Sequence, residues 1–75
     1  MPYIAIKGYP KDEETKRKVV DQINEIFVKE WGCPPSAINI SVEEVAPEAW
    51  EETVVKGEIE SKADKMFILG GEKRY

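Results

Sequence analysis

The chain has 75 residues, of which 41% are hydrophobic and 35% are charged, a composition typical of one small folded domain. Its net charge of −4, and the seven glutamates within residues 43–60, argue against nucleic acid as a partner. Because the chain has no histidine and a single cysteine, it offers no Ser-His or Cys-His catalytic arrangement, no disulfide and no zinc site.

The sequence carries no segment typical of a membrane or exported protein. No apolar run approaches the roughly 18 residues that a membrane helix needs, and no signal-peptide pattern opens the chain. The lone Cys33 lies between glycine and proline in a predicted turn, where an unreactive thiol is expected. We therefore expect a cytoplasmic location and no membrane partner.

The chain opens Met1-Pro2, and proline is the one residue whose free N-terminus is a secondary amine. A small second residue normally permits removal of the initiator methionine, so that Pro2 would begin the mature chain. The pKa of an α-amino group is ordinarily about 7.7–8.0, and burial or a nearby cation lowers it. Pro2 could then act as a general base at neutral pH. The alternative is a terminal proline that only stiffens the chain.

Hydrophobic periodicity predicts a strand, a long helix and a second strand in the first two thirds of the chain. Apolar residues alternate in the first strand, Tyr3 to Gly8, and in the second, Ala37 to Val45. Between them an apolar stripe at helical spacing begins after Asp12, a good N-cap, and ends before Gly32. Strand, long helix and strand make a βαβ unit with parallel strands.

The remaining residues predict a helical segment that opens at Pro47 and is weakened at Gly57. An apolar cluster over residues 66–69 follows, and then Gly70-Gly71 and a charged tail. We expect residues 73–75 to be disordered, and the alternative is that they fold over the site of a neighbouring subunit.

Two strands do not make an independently stable sheet in water, and their edges would remain open. The sequence therefore predicts an α/β (α+β) fold: one domain, residues 1–75, built on a single βαβ unit with a C-terminal helical segment. We expect dimerisation to complete the sheet.

Pro2, the βαβ unit and the segment Pro47-Glu48-Ala49-Trp50 together resemble the tautomerase superfamily, and most closely its small 4-oxalocrotonate tautomerase-like group. The proline-glutamate-x-tryptophan segment, followed nine residues later by Ile59, looks most like the longer branch of that group, which tends to be dimeric. The resemblance implies a homodimer and leaves a hexamer open.

The resemblance also implies a cofactor-independent enzyme that moves a proton between the carbon and the oxygen of an enol/keto pair. The terminal Pro2 would be the base, and two arginines of the family would correspond to Lys11 and Asn39 here. Trp50 would take the place of an aromatic residue that lines the pocket.

Both replacements weaken the binding of a dianion. Lys11 keeps a positive charge but lacks the planar guanidinium fork, and Asn39 keeps a hydrogen-bond donor without charge. The expected substrate is therefore a small α-keto or enol monoacid with an apolar body, such as phenylpyruvate.

Two alternatives stay open. One is a non-catalytic dimeric interaction module on the same scaffold, with the acidic residues 43–60 as its partner surface. The other is a dehalogenase- or hydratase-like reaction, which also normally depends on the family arginines.

Overall fold

The computed structural model describes residues 1–75. Its first unit, Met1–Val45, contains a pair of parallel strands. Strand β1 spans Tyr3–Gly8 and β2 spans Asn39–Glu44, and the register places Tyr3 opposite Asn39 and Gly8 opposite Glu44. Val45 N–H extends the ladder by donating to the Gly8 carbonyl at 2.8 Å. The predicted βαβ unit with parallel strands is confirmed.

Helix α1, Glu13–Ile26, opens the helical segment that joins the two strands, and this segment begins after Asp12 and ends before Gly32, as the sequence predicts. Asp12 caps it by accepting a hydrogen bond from Thr15 N–H at 2.9 Å, and Glu13 and Glu14 in the first turn favour the helix dipole. The helix continues in wider π-helical turns over Phe27–Trp31 and stops at Gly32, whose φ of 72° is left-handed.

The two faces of the β1–β2 pair differ in exposure as the alternation predicts. Ile4, Ile6 and Ile40 are half-buried, whereas Tyr3 is 70% exposed. Ala37 and Val45, which flank β2, are buried. Both strands are edges, because this sheet contains only the two of them.

The second unit, Ala46–Tyr75, is helical and then ends in a hairpin. Helix α2, Pro47–Trp50, starts with proline in its first turn and continues in π-helical turns over Glu51–Ile59. The backbone stays helical through Gly57, and 3₁₀ turns over Glu60–Lys65 complete the segment. No helix of the chain is long and apolar enough to cross a membrane.

The expectation of a disordered tail is wrong. Strands β3, Ile68–Leu69, and β4, Glu72–Lys73, pair antiparallel across Gly70-Gly71, whose φ angles of 58° and 84° suit a tight hairpin turn. Arg74 N–H donates to the Phe67 carbonyl at 2.7 Å, and the rings of Phe67 and Tyr75 lie 5.7 Å apart. The pair Gly70-Gly71 is the feature of the sequence that predicts this hairpin, because such a turn requires two consecutive residues of positive φ.

Candidate active site

Pro2 and Asn39 meet at one end of the strand pair. Asn39 N–H donates to the Pro2 carbonyl at 3.2 Å, which fixes the residue before β1 to the first residue of β2. Pro2 is half-buried, and Asn39 and its cross-strand neighbour Tyr3 are exposed. The structure therefore brings together two of the residues that the sequence predicts for the site.

The side-chain amide of Asn39 is oriented by its own turn. Its Nδ2 donates to the carbonyl of Ala37 at 3.3 Å, and Ala37 is buried. A primary amide has two N–H donors, so one donor remains for a bound oxygen atom. Asn39 therefore carries an oriented, neutral side-chain donor, and its backbone is bonded to Pro2. Such a donor can stabilise negative charge that develops on an oxygen atom.

Lys11 lies at the other end of the same strands. The six residues of β1, Tyr3–Gly8, separate it from Pro2, and an extended strand rises by roughly 3.3 Å per residue, so the two ends are about 20 Å apart. A lysine side chain is much shorter than that. Within one chain, Lys11 and Pro2 are therefore not brought together.

A glutamate that the sequence analysis did not single out fixes the backbone at Lys11. Glu44, the last residue of β2, accepts a hydrogen bond from Lys11 N–H at 3.0 Å and another from Lys16 Nζ at 3.0 Å, both on Oε2. The hydrogen bond from Lys11 N–H, and to a smaller extent the one from Lys16 Nζ, hold the pKa of Glu44 below its ordinary value. The same hydrogen bond to Glu44 stabilises the charged form of Lys16 and raises the pKa of Lys16.

Topology could have predicted this contact. The C-terminal ends of parallel strands lie at the same edge of a sheet, beside the start of the connecting helix. Glu44 at the end of β2 and Lys16 in the first turns of α1 must therefore be neighbours.

A cavity of about 190 Å³ lies beside Lys11, between the strand pair and α1. Ile6, Val19 and Val42 supply its apolar wall, and it is bordered by charged side chains of both signs, Lys11, Lys16, Glu43 and Glu44. The space can accept a small apolar group next to these charges. No group of three or more histidine, cysteine, aspartate or glutamate side chains is arranged to hold a metal ion.

Trp50, the remaining predicted site residue, belongs to the second unit. It is the last residue of α2 and is half-buried. Pro47 at the start of α2 favours the helical conformation of the first turn, and Trp50 is the last residue of that turn.

The chain belongs to the tautomerase family. The family model described as Tautomerase enzyme matches residues 2–62, from Pro2 through the helical part of the second unit. This match and the parallel βαβ unit agree with the resemblance that the sequence suggested.

Curated relatives carry the same family name. The chain is 28% identical over 68 residues to a protein named Tautomerase PptA from Cronobacter sakazakii, covering 88% of this chain and 90% of that protein. It is 29% identical over 56 residues to a Tautomerase PptA from Pectobacterium atrosepticum, covering 72% of this chain and 74% of that protein. A Tautomerase PptA from Klebsiella pneumoniae is 28% identical over 53 residues, covering 68% and 71% respectively.

Proposed function

We propose that this protein is a cofactor-independent keto-enol tautomerase that acts on a small α-keto acid of the phenylpyruvate type. The observation that carries the proposal is the family match, which starts at Pro2 itself. Loss of Met1 would convert the Pro2 nitrogen from an amide into a secondary amine, the form that can accept a proton.

The proposed reaction only relocates a proton. The Pro2 amine takes the proton from the enol hydroxyl and returns it to the adjacent carbon, so that the C=C bond is lost and the C=O bond forms. Nothing is oxidised or reduced. The free N–H of Asn39 would donate to the oxygen on which negative charge develops during the transfer.

Lys11 would hold the substrate carboxylate, and the distance along β1 means that it would do so for the Pro2 of another copy of the chain. The proposed enzyme is therefore a homo-oligomer whose site is shared between subunits. Large apolar side chains left exposed in the single chain support association: Trp31 is 67% exposed and Phe67 is 74% exposed. The two open edges of the β1–β2 pair support it as well.

The residue types at the site favour a monoacid as the substrate. A single lysine provides one positive charge for one carboxylate, and Asn39 adds a donor without a second charge. The apolar wall of the cavity beside Lys11 suits a substrate with an aromatic body. Trp50 would exclude water from the reacting atoms.

The test is the rate of ketonisation of enol phenylpyruvate by the protein that begins at Pro2, compared with its Pro2→Ala variant. Alanine leaves a primary amine that no ring holds against the strand, so we expect kcat/KM to fall by about 10²-fold. Pro34→Ala is the matched control, because Pro34 is exposed and lies in an extended turn before β2, and its rate should equal the wild-type rate. Equal rates for wild type and Pro2→Ala would reject the proposal and favour the interaction module.

A further inference from the structure

Glu44 is hydrogen-bonded to the middle of the connection between β1 and α1, at Lys11. Of the residues in that connection, Pro10 has no N–H to donate, and Asp12 uses its carboxylate to cap α1. The N–H of Lys11 ties the connection to β2 through the Glu44 carboxylate at 3.0 Å. The conformation of the backbone at Lys11 therefore depends on Glu44.

The ammonium group of Lys11 is left out of this network. The salt bridges at this end of the unit join Lys16 to Glu44 at 3.0 Å and to Glu13 at 3.7 Å, and none of them includes Lys11. Hydrogen bonds from Thr15, and then the nearby charge of Lys11, lower the pKa of Asp12. The backbone of Lys11 is thus held while its ammonium group forms no salt bridge, which leaves that group available to a carboxylate.

Lys16 has a separate part in this arrangement. A glutamate placed so close to Lys11 would compete with any bound carboxylate if its own charge were not balanced. The Lys16 ammonium, on the same Oε2 atom at 3.0 Å, balances that charge. The side chains of Lys16 and Glu44 are 23% and 39% exposed, so water screens this pair only partly.

We propose that Glu44 is a positioning residue that fixes Lys11 for the substrate carboxylate, with Lys16 neutralising the glutamate. This inference rests on the proposed function, because it assigns a role within the same shared site. Glu44 also lines the cavity beside Lys11, but the role proposed here is exerted through its hydrogen bond to the Lys11 backbone.

The test compares Glu44→Ala with Glu44→Gln. Alanine removes the acceptor for Lys11 N–H, whereas the glutamine carbonyl can restore it. For enol phenylpyruvate we expect Glu44→Ala to raise KM about tenfold with kcat nearly unchanged, and Glu44→Gln to recover most of the loss. Glu25→Ala is the matched control, because it removes the same charge from an exposed position of α1 that does not line the cavity beside Lys11, and it should leave KM unchanged.

A substrate without a carboxylate separates positioning from a merely structural role. The enol of phenylacetaldehyde cannot use Lys11 as a carboxylate partner, so Glu44→Ala should not change its KM. In a Lys11→Ala background, Glu44→Ala should have no further effect on either substrate. Lys16→Met, which leaves the Lys11 hydrogen bond in place but frees the charge of Glu44, should raise KM for the carboxylate substrate alone.

Binding of cinnamate, a monoacid that cannot react, gives a readout that does not depend on activity. In an NMR titration we expect Glu44→Ala to weaken its Kd about tenfold and Glu44→Gln to restore it. An unchanged Kd, no binding of cinnamate by the wild type, or an equal rise of KM for both substrates would overturn the role of Glu44. Failure of the proposed function would show differently, as a ketonisation rate that is independent of Pro2.

Discussion

A chain that retains Met1 is expected to convert enol phenylpyruvate at least about 10²-fold more slowly than the same chain beginning at Pro2. With Met1 attached, the Pro2 nitrogen is a tertiary amide, which has neither a proton to give nor basicity to accept one. The loss should appear in kcat, since the carboxylate contacts of the substrate do not involve this nitrogen.

The chain is short enough for chemical synthesis, so the two forms can be made to differ by Met1 alone. A third chain with one residue added after Tyr75 controls for the added mass, because it leaves Pro2 free, and it should retain full activity. Sedimentation should show the same assembly for all three. Equal rates with and without Met1 would contradict the assignment of Pro2 as the base.

Mixing two impaired variants is expected to restore part of the wild-type activity. Pro2→Ala lacks the proposed base, and Lys11→Ala lacks the charge that holds the carboxylate, which should cost it tenfold or more, on the order of a lost charge-assisted hydrogen bond. If each site combines Pro2 of one subunit with Lys11 of another, random mixing gives an intact site in about one quarter of cases. The mixture should therefore reach about a quarter of the wild-type rate, several times the mean of its parents.

The mixed assemblies are prepared by unfolding the two variants together and refolding them at equal concentration. The control is the same mixture combined without unfolding and assayed before subunits exchange, which should keep the low rate of the parents. If refolded mixtures gave only the mean of the two parental rates, Pro2 and Lys11 would belong to sites within single chains, or Lys11 would have no role.

The sequence was sufficient for the elements of the first unit because each has a local physical cause. Asp12 and Gly32 mark the two ends of the long helical segment, through an N-cap and a left-handed C-terminal residue. The alternation around Ile4 and Ile40 gives the two strands and their faces. Parallel pairing then follows from the length of the connection.

It was harder to predict which residues lie together in the site than to predict the individual residues. Pro2 and Asn39 are adjacent only because the register places Tyr3 opposite Asn39, and the sequence does not give that register. Lys11 and Pro2 were predicted for one site, but the six residues of β1 separate them within a single chain. Glu44 was hidden for another reason, since its contact with Lys11 uses a backbone N–H that no residue type reveals.

The C-terminal hairpin shows the opposite error. A terminal position favours disorder for residues 73–75, but the glycine pair before them is typical of a hairpin turn. Side-chain charge does not predict whether strands this short will form. This hairpin is held by backbone hydrogen bonds and by the contact between the rings of Phe67 and Tyr75.

The proposed function requires that the Pro2 amine accept and return the proton, and an NMR titration of the chain labelled with ¹⁵N at Pro2 tests this step. We predict that this nitrogen titrates with a pKa equal to that of the rising limb of kcat/KM with pH, since the free amine is the active form. The limb should disappear in the chain that retains Met1. A Pro2 nitrogen whose titration differs from the kinetic limb would contradict the assignment.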